Sequence, residues 1–206
     1  MTERAPKTVL VTGSSSGFGK AAVAAFLARG WRVAATARRP AAGQDTENLF
    51  TCRLDLHDPG SIDSAVAATV ARFGSLDCVV NNAGAGLLSV FEATPMETVR
   101  ELFETNVFGV LRVIQAVLPR FAAQGGGRLV NVSSTASIVP EPFMSVYAAT
   151  KSAVEGLTES LRYELATRDV VVKLVGGKAR EVHPLLYGVA VLFLVYFLRG
   201  PIESVL

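Results

Sequence analysis

A chain of 206 residues suits one medium domain with a substantial core, and its half-hydrophobic composition excludes a largely disordered polypeptide. Its 20 basic and 18 acidic side chains leave a formal charge of +2, which gives no ground for a nucleic-acid partner. Cys52, Cys78, His57 and His183 make no metal-ligand pattern, so no metal site is expected.

Residues 1–7 are polar and lead straight into a strand, so no secretory signal is expected and a reducing, cytoplasmic compartment is the default. Residues 8–12 predict a buried first strand that breaks at Gly13. Residues 17–29 predict a long apolar helix with Val23, Phe26 and Leu27 inward and Gly30 just past its end. A second strand at 32–37 and a third at 49–54 are joined by a brief polar crossover with room for only a short helix. Pro59 opens the next helix, where Ile62, Val66, Val70 and Phe73 repeat at helical spacing. The fourth strand, 76–80, ends in Asn81-Asn82-Ala83-Gly84. Residues 94–121 read as two helical portions with Asn106 inside and Pro119 close to the end. A fifth strand at 128–132, a long helix at 146–167 and a sixth strand at 170–175 follow.

Continuous apolar strands separated by helices specify a mostly parallel sheet covered on both faces. Right-handed crossovers make it doubly wound, a Rossmann-like three-layer α/β fold. Residues 1–175 therefore form one domain, expected from the motifs below to bind a dinucleotide and carry the catalysis, and 176–206 an atypical hydrophobic segment.

The run Thr12-Gly13-Ser14-Ser15-Ser16-Gly17-Phe18-Gly19 lies between the first strand and the first helix. Gly13 suits the tight turn, Gly17 the approach of backbone to phosphate, and Gly19 close helix packing. Ser14, Ser15 and Ser16 add hydroxyl donors beside the helix's free N–H groups. At the end of the second strand stands Arg38 in place of a carboxylate, a partner for a 2′-phosphate, so NADP(H) is preferred over NAD(H). Asp55 is a candidate for the adenine amino group, with helix capping as its alternative role. Asn81, Ala83 and Gly84 form the loop that passes the cofactor in the same crevice.

Tyr147 and Lys151 are four apart on one helix face. The lysine charge favours phenolate, so Tyr147 can act as base on an alcohol or donate its proton to a carbonyl. Lys151 also suits the nicotinamide ribose hydroxyls. Ser134 follows the fifth strand and can bind the substrate oxygen, with Ser133 as its nearest competitor. Asn106 either orders a water reaching Lys151 or is a satisfied buried amide. A serine hydrolase is disfavoured because Ser134 is not in a Gly-x-Ser-x-Gly elbow and neither histidine has an orienting acid.

Together these motifs resemble the short-chain dehydrogenase/reductase family over about residues 7–174. The resemblance implies hydride transfer between NADP(H) and a ketone or secondary alcohol. It assigns acid/base chemistry to Tyr147, electrostatic and ribose support to Lys151, substrate orientation to Ser134 and the proton-relay framework to Asn106. It also implies adenine contact by Asp55, 2′-phosphate contact by Arg38, and a homodimer or homotetramer packed through residues 106–121 and 146–167. Leu87, Leu88, Val90 and Phe91, with Pro140, Phe143 and Met144, favour a hydrophobic substrate or simply pack their loops.

The family usually continues past the sixth strand with a Pro-Gly turn, a cofactor-touching threonine and a substrate-covering segment. Here Val175-Gly176-Gly177-Lys178 stands in that place, and residues 184–198 form an uncharged apolar span shorter than the about 20 residues of a comfortable membrane crossing. A membrane anchor, a buried element and an oligomer contact are all open to that span. The expectation is that cofactor binding survives better than catalysis. A noncatalytic NADP(H)-binding scaffold, membrane-associated through 176–206, is the alternative function.

Overall fold

The computed structural model describes residues 6–41 and 43–176. Six parallel strands form one sheet in the order β3-β2-β1-β4-β5-β6. They are β1 Thr8–Val11, β2 Arg32–Ala37, β3 Leu49–Arg53, β4 Cys78–Asn81, β5 Gly127–Val132 and β6 Val170–Val175. The helices are α1 Gly17–Leu27, α2 Pro59–Phe73, α3 Met96–Phe103, α4 Gly109–Gln124 and α5 Ser145–Leu165. The doubly wound α/β expectation holds.

Strand order follows from chain order. The chain lays β2 and β3 on one side of β1, then returns to add β4, β5 and β6 on the other. Val9 and Val11 of β1 pair with Val33 and Ala35 of β2 on one edge and with Cys78 and Val80 of β4 on the other. The reversal opens a crevice beyond the carboxyl ends of β1 and β4. Alternating side chains fill the two faces. Leu10, Val79, Leu129 and Val172 pack with Ile62, Val113, Val117 and Phe121 on one. Val9, Val11, Val33 and Val80 pack with Ala22 and Phe26 of α1 on the other. Each of these buried Val, Leu, Ile and Phe side chains stabilises the fold by roughly 1.5–3 kcal/mol.

Helix α2 starts where Asp58 accepts the Ser61 N–H at 3.1 Å with Pro59 in the first turn, and it stops at Gly74 with φ of 82°. Helix α1 has no side-chain cap at Ser16, which leaves its first amides facing the crevice.

Three expectations change. Among the described residues, no helix forms in the β2–β3 crossover. Asp45 instead accepts both the amide and the hydroxyl of Thr51, at 2.7 and 2.6 Å, and turns the chain directly into β3. Strand β4 begins at Cys78 rather than at residue 76; just before it the Asp77 side chain accepts the Thr8 N–H at 2.7 Å while its backbone bonds Thr8 and Arg128. Helices α3 and α4 are continuous through a wider π turn, Glu104–Phe108, and α4 runs past Pro119 to Gln124. Met96–Gln124 is the one stretch of the described residues long and apolar enough to cross a membrane. Its Val113, Val117 and Phe121 nevertheless lie in the sheet core. The expectations for residues 177–206 lie outside the described residues.

Candidate active site

The glycine turn is set by space. A Cβ at Gly13, whose φ is 66°, would lie 2.8 Å from Ala83 Cα, and one at Gly19 would lie 2.3 Å from the Gly13 carbonyl oxygen. Neither position admits a side chain without moving backbone. Gly17 has φ of 52° and open space beside it, as a backbone approached by a ligand requires. Ser14 is tied to β2, its hydroxyl and amide both donating to the Thr36 carbonyl at 3.0 and 2.9 Å.

Across the turn stand Thr12 and Asn82, which the sequence reading did not single out. Buried Thr12 accepts the amides of Asn82 and Ala83 on its hydroxyl, both at 3.0 Å. Asn82 Nδ2 returns bonds to the carbonyls of Thr12 and Gly13 at 3.0 and 3.1 Å. A polar residue closing an otherwise apolar strand was the available signal. Asn81, in contrast, turns beneath the crevice. It is buried, and its Nδ2 donates to Asn131 Oδ1 at 2.8 Å, so Asn82 is the asparagine that lines the crevice.

One cavity of about 510 Å³ is lined by Gly13, Ser15, Ser16, Arg38, Asp55 and Ala83, among others. Arg38 is exposed at its edge. The capping role falls to Asp58, while Asp55 faces the cavity with Oδ1 accepting the His57 amide at 3.1 Å.

A second cavity of about 360 Å³ is lined by Phe18, Ser134, Tyr147, Lys151 and Gly176. Asn82, Gly84 and Ala85 border both cavities, which makes them two halves of one crevice. Tyr147 and Lys151 project from α5 with the ammonium 5.8 Å from the ring centroid. Lys151 Nζ donates to the Val132 carbonyl at 3.0 Å, and burial pushes the amine below its ordinary value. Ser134 Oγ accepts the Ala136 amide at 3.2 Å and keeps its own proton to donate. Ser133 also borders the cavity, but its hydroxyl donates to Glu155 Oε1 at 2.9 Å.

Asn106 sits in the π turn, buried. Its Nδ2 donates to the Ala85 carbonyl at 2.8 Å and to Thr150 Oγ1 at 3.1 Å, and its Oδ1 accepts the Ala85 amide at 2.8 Å. The side-chain amide is thus bonded at both its oxygen and its nitrogen, and it clasps the loop that carries Gly84. A Cβ at Gly84 would come 3.1 Å from Asn106 Oδ1 and 3.6 Å from Lys151 Nζ. Beyond the cavity, Leu88, Phe91 and Phe143 are exposed, and Leu87 and Met144 are half-buried. The two loops that carry them meet where Ser89 N–H donates to the Phe143 carbonyl at 2.9 Å.

A sequence profile described as short chain dehydrogenase matches residues 7–178. The chain is 42% identical over 169 residues to the uncharacterized oxidoreductase YusZ of Bacillus subtilis, a match covering 77% of this chain and 60% of that one. The crystal structure of a short-chain dehydrogenase from Streptomyces avermitilis superposes with a TM-score of 0.78 at 39% identity, over 84% of this chain and 66% of that one. The structure of ElxO with NADP bound superposes with a TM-score of 0.78 at 28% identity, over 84% and 73% of the respective chains. The chain spans between 55% and 60% of the length of several curated relatives it matches.

Proposed function

This chain belongs to the short-chain dehydrogenase family, and we propose that it works as an NADP(H)-dependent oxidoreductase on a hydrophobic ketone or secondary alcohol. The observation that carries the proposal is the convergence of Ser134, Tyr147 and Lys151 on one half of a crevice whose other half holds Arg38. The residues present fit a dinucleotide. A Cβ at Gly13 or Gly19 would fill the turn, and α1 opens toward it without a side-chain cap.

When bound, the nicotinamide would supply or accept the hydride. The protein's part is placement and proton transfer. In reduction, the Tyr147 hydroxyl gives its proton to the carbonyl oxygen while Ser134 donates a hydrogen bond to that oxygen. In oxidation, the tyrosine oxygen takes the alcohol proton. The Lys151 amine beside the ring favours the charge that develops there. Arg38 can pair with a 2′-phosphate in a way no neutral residue there could. Solved relatives hold either form, NADP in ElxO and NADH in a 3-ketoacyl-(acyl-carrier-protein) reductase from Brucella melitensis, so the choice of cofactor rests on Arg38. Exposed Leu88, Phe91 and Phe143 support an apolar substrate. We extend the proposal to a homodimer or homotetramer packed through α4 and α5, which a monomer in sedimentation at micromolar concentration would overturn.

The test is a titration with NADPH and NADH at equal ionic strength, followed by a screen of hydrophobic ketones. NADPH is expected to bind at least about tenfold tighter, the worth of one charge-assisted pair. Tighter NADH binding overturns the cofactor assignment, and binding of neither overturns the reading as a whole. Tyr147→Phe should abolish single-turnover transfer while leaving NADPH affinity within about twofold.

A further inference from the structure

Tyr147, Lys151 and Glu155 recur at four-residue intervals along α5, so the carboxylate continues the face that carries the acid/base pair. Glu155 Oε1 accepts the Ser133 hydroxyl at 2.9 Å and also the Ser137 hydroxyl. Those two serines bracket Ser134 on the loop that leaves β5. The Ser137 oxygen lies 2.5 Å from the Ser134 carbonyl oxygen, and the Ser137 amide donates to that same carbonyl at 3.2 Å. At the other end, the Ser133 amide donates to the Val175 carbonyl at 2.7 Å.

A single carboxylate oxygen thus ties both ends of the segment that presents Ser134 to the cavity. Ser133 is buried, and without Glu155 its hydroxyl would be left with two long contacts, to the Lys151 carbonyl and the Ser137 hydroxyl, each at 3.5 Å. The single proton of Ser137, now shared between Glu155 and the Ser134 carbonyl, would pass to the carbonyl alone. Both changes act on the backbone that aims Ser134 Oγ.

We propose that Glu155 is a positioning residue, which fixes the Ser134 hydroxyl opposite Tyr147 by holding Ser133 and Ser137. The proposal rests on the oxidoreductase reading for its catalytic consequence, whereas the ordering of the loop does not.

The experiment is a double-mutant cycle on the full chain with Glu155→Ala, Ser134→Ala and their combination, read by NADPH-dependent ketone reduction and by NADPH titration. Glu155→Ala should lower kcat about 10- to 100-fold, the scale of a displacement near 1 Å, with NADPH affinity within about twofold. The double variant should be no more than about threefold slower than Ser134→Ala, because the two residues act through one hydroxyl. Glu155→Gln, which keeps an acceptor oxygen, should recover most of the rate. Multiplying losses, or an equal collapse of NADPH binding, overturns the proposal.

Amide hydrogen exchange supplies a readout without turnover. Residues 134–139 should exchange faster in Glu155→Ala while β4 stays protected, and unchanged exchange overturns the positioning role. If the native chain reduces no ketone, the functional reading falls and the exchange result still decides the role of Glu155.

Discussion

Gly19→Ala adds one methyl group where the glycine turn meets α1. Its carbon would stand 2.3 Å from the Gly13 carbonyl oxygen and 2.6 Å from Asn82 Nδ2. The first contact is about 1.1 Å short of ordinary van der Waals separation, which begins at 3.4 Å. Its partner is backbone and cannot rotate away. The second contact lies on the amide that bonds the carbonyls of Thr12 and Gly13, so relief on that side breaks the tie between the glycine turn and β4. Overpacking of this kind costs about 1–3 kcal/mol. For a domain of this size the melting temperature should fall by about 2–12 °C. If the displaced turn no longer matches the pyrophosphate, the same cost weakens NADPH by about 5- to 150-fold.

Calorimetry with and without NADPH measures both quantities. Gly30→Ala is the control. It also has positive φ, 72°, but open space beside it, so it should lose about 1–2 kcal/mol of stability and no affinity. A Gly19→Ala protein that melts and binds like the native chain would refute the packing argument.

Lys151→Met should abolish turnover yet leave the fold as stable or more stable, since it removes an amine that burial drives below its ordinary 10.5. Between the depressed folded value and 10.5, the unfolded chain binds more protons than the folded one, so native stability rises with pH there. Denaturant titrations across that alkaline window should show a flatter rise in the variant, and an identical slope would contradict the assignment. Burial also pushes the thiol of Cys52 up to about 11 and that of Cys78 up to about 12. Both should resist a thiol reagent at neutral pH until the protein is unfolded, and prompt labelling of Cys78 would show that β4 is less enclosed than described.

Much of this fold was legible because its strands are unbroken apolar runs punctuated by glycine. Residues 8–12, 32–37 and 128–132 could hardly be anything but buried strands, and Gly13 with Gly19 marked the turn between the first strand and its helix. What escaped was pairing. Periodicity gives the face on which a residue lies, not which carbonyl its hydroxyl meets. Thr12 looked like the last residue of a strand, and its two accepted amides come from a loop far along the chain. The motif pointed to Asn81 rather than Asn82 at the cofactor loop, yet the chain turns the first beneath the crevice and the second into it. Asn106 was visible as a polar interruption in an apolar helix. The π turn around it depends on Ala85 and Thr150, which helical spacing does not reveal. The missing crossover helix came down to Asp45 and Thr51, a local bond strong enough to turn the chain early.

The bond from the Asn82 amide to Thr12 joins residues 70 positions apart. A chain leaving the ribosome therefore exposes the whole glycine run well before it owns a nucleotide site. Residues 12–19 can form a turn by themselves, but its far wall arrives only with β4, after three crossovers and two further strands have been made. Long loops must close before that contact forms, and such contacts form late. The nascent domain should thus have no affinity for the dinucleotide before β4, and the half of the crevice lined by Ser134, Tyr147, Lys151 and Gly176 follows only with β5, α5 and β6. Nucleotide in the cell can then stabilise only chains that have already docked the centre of the sheet.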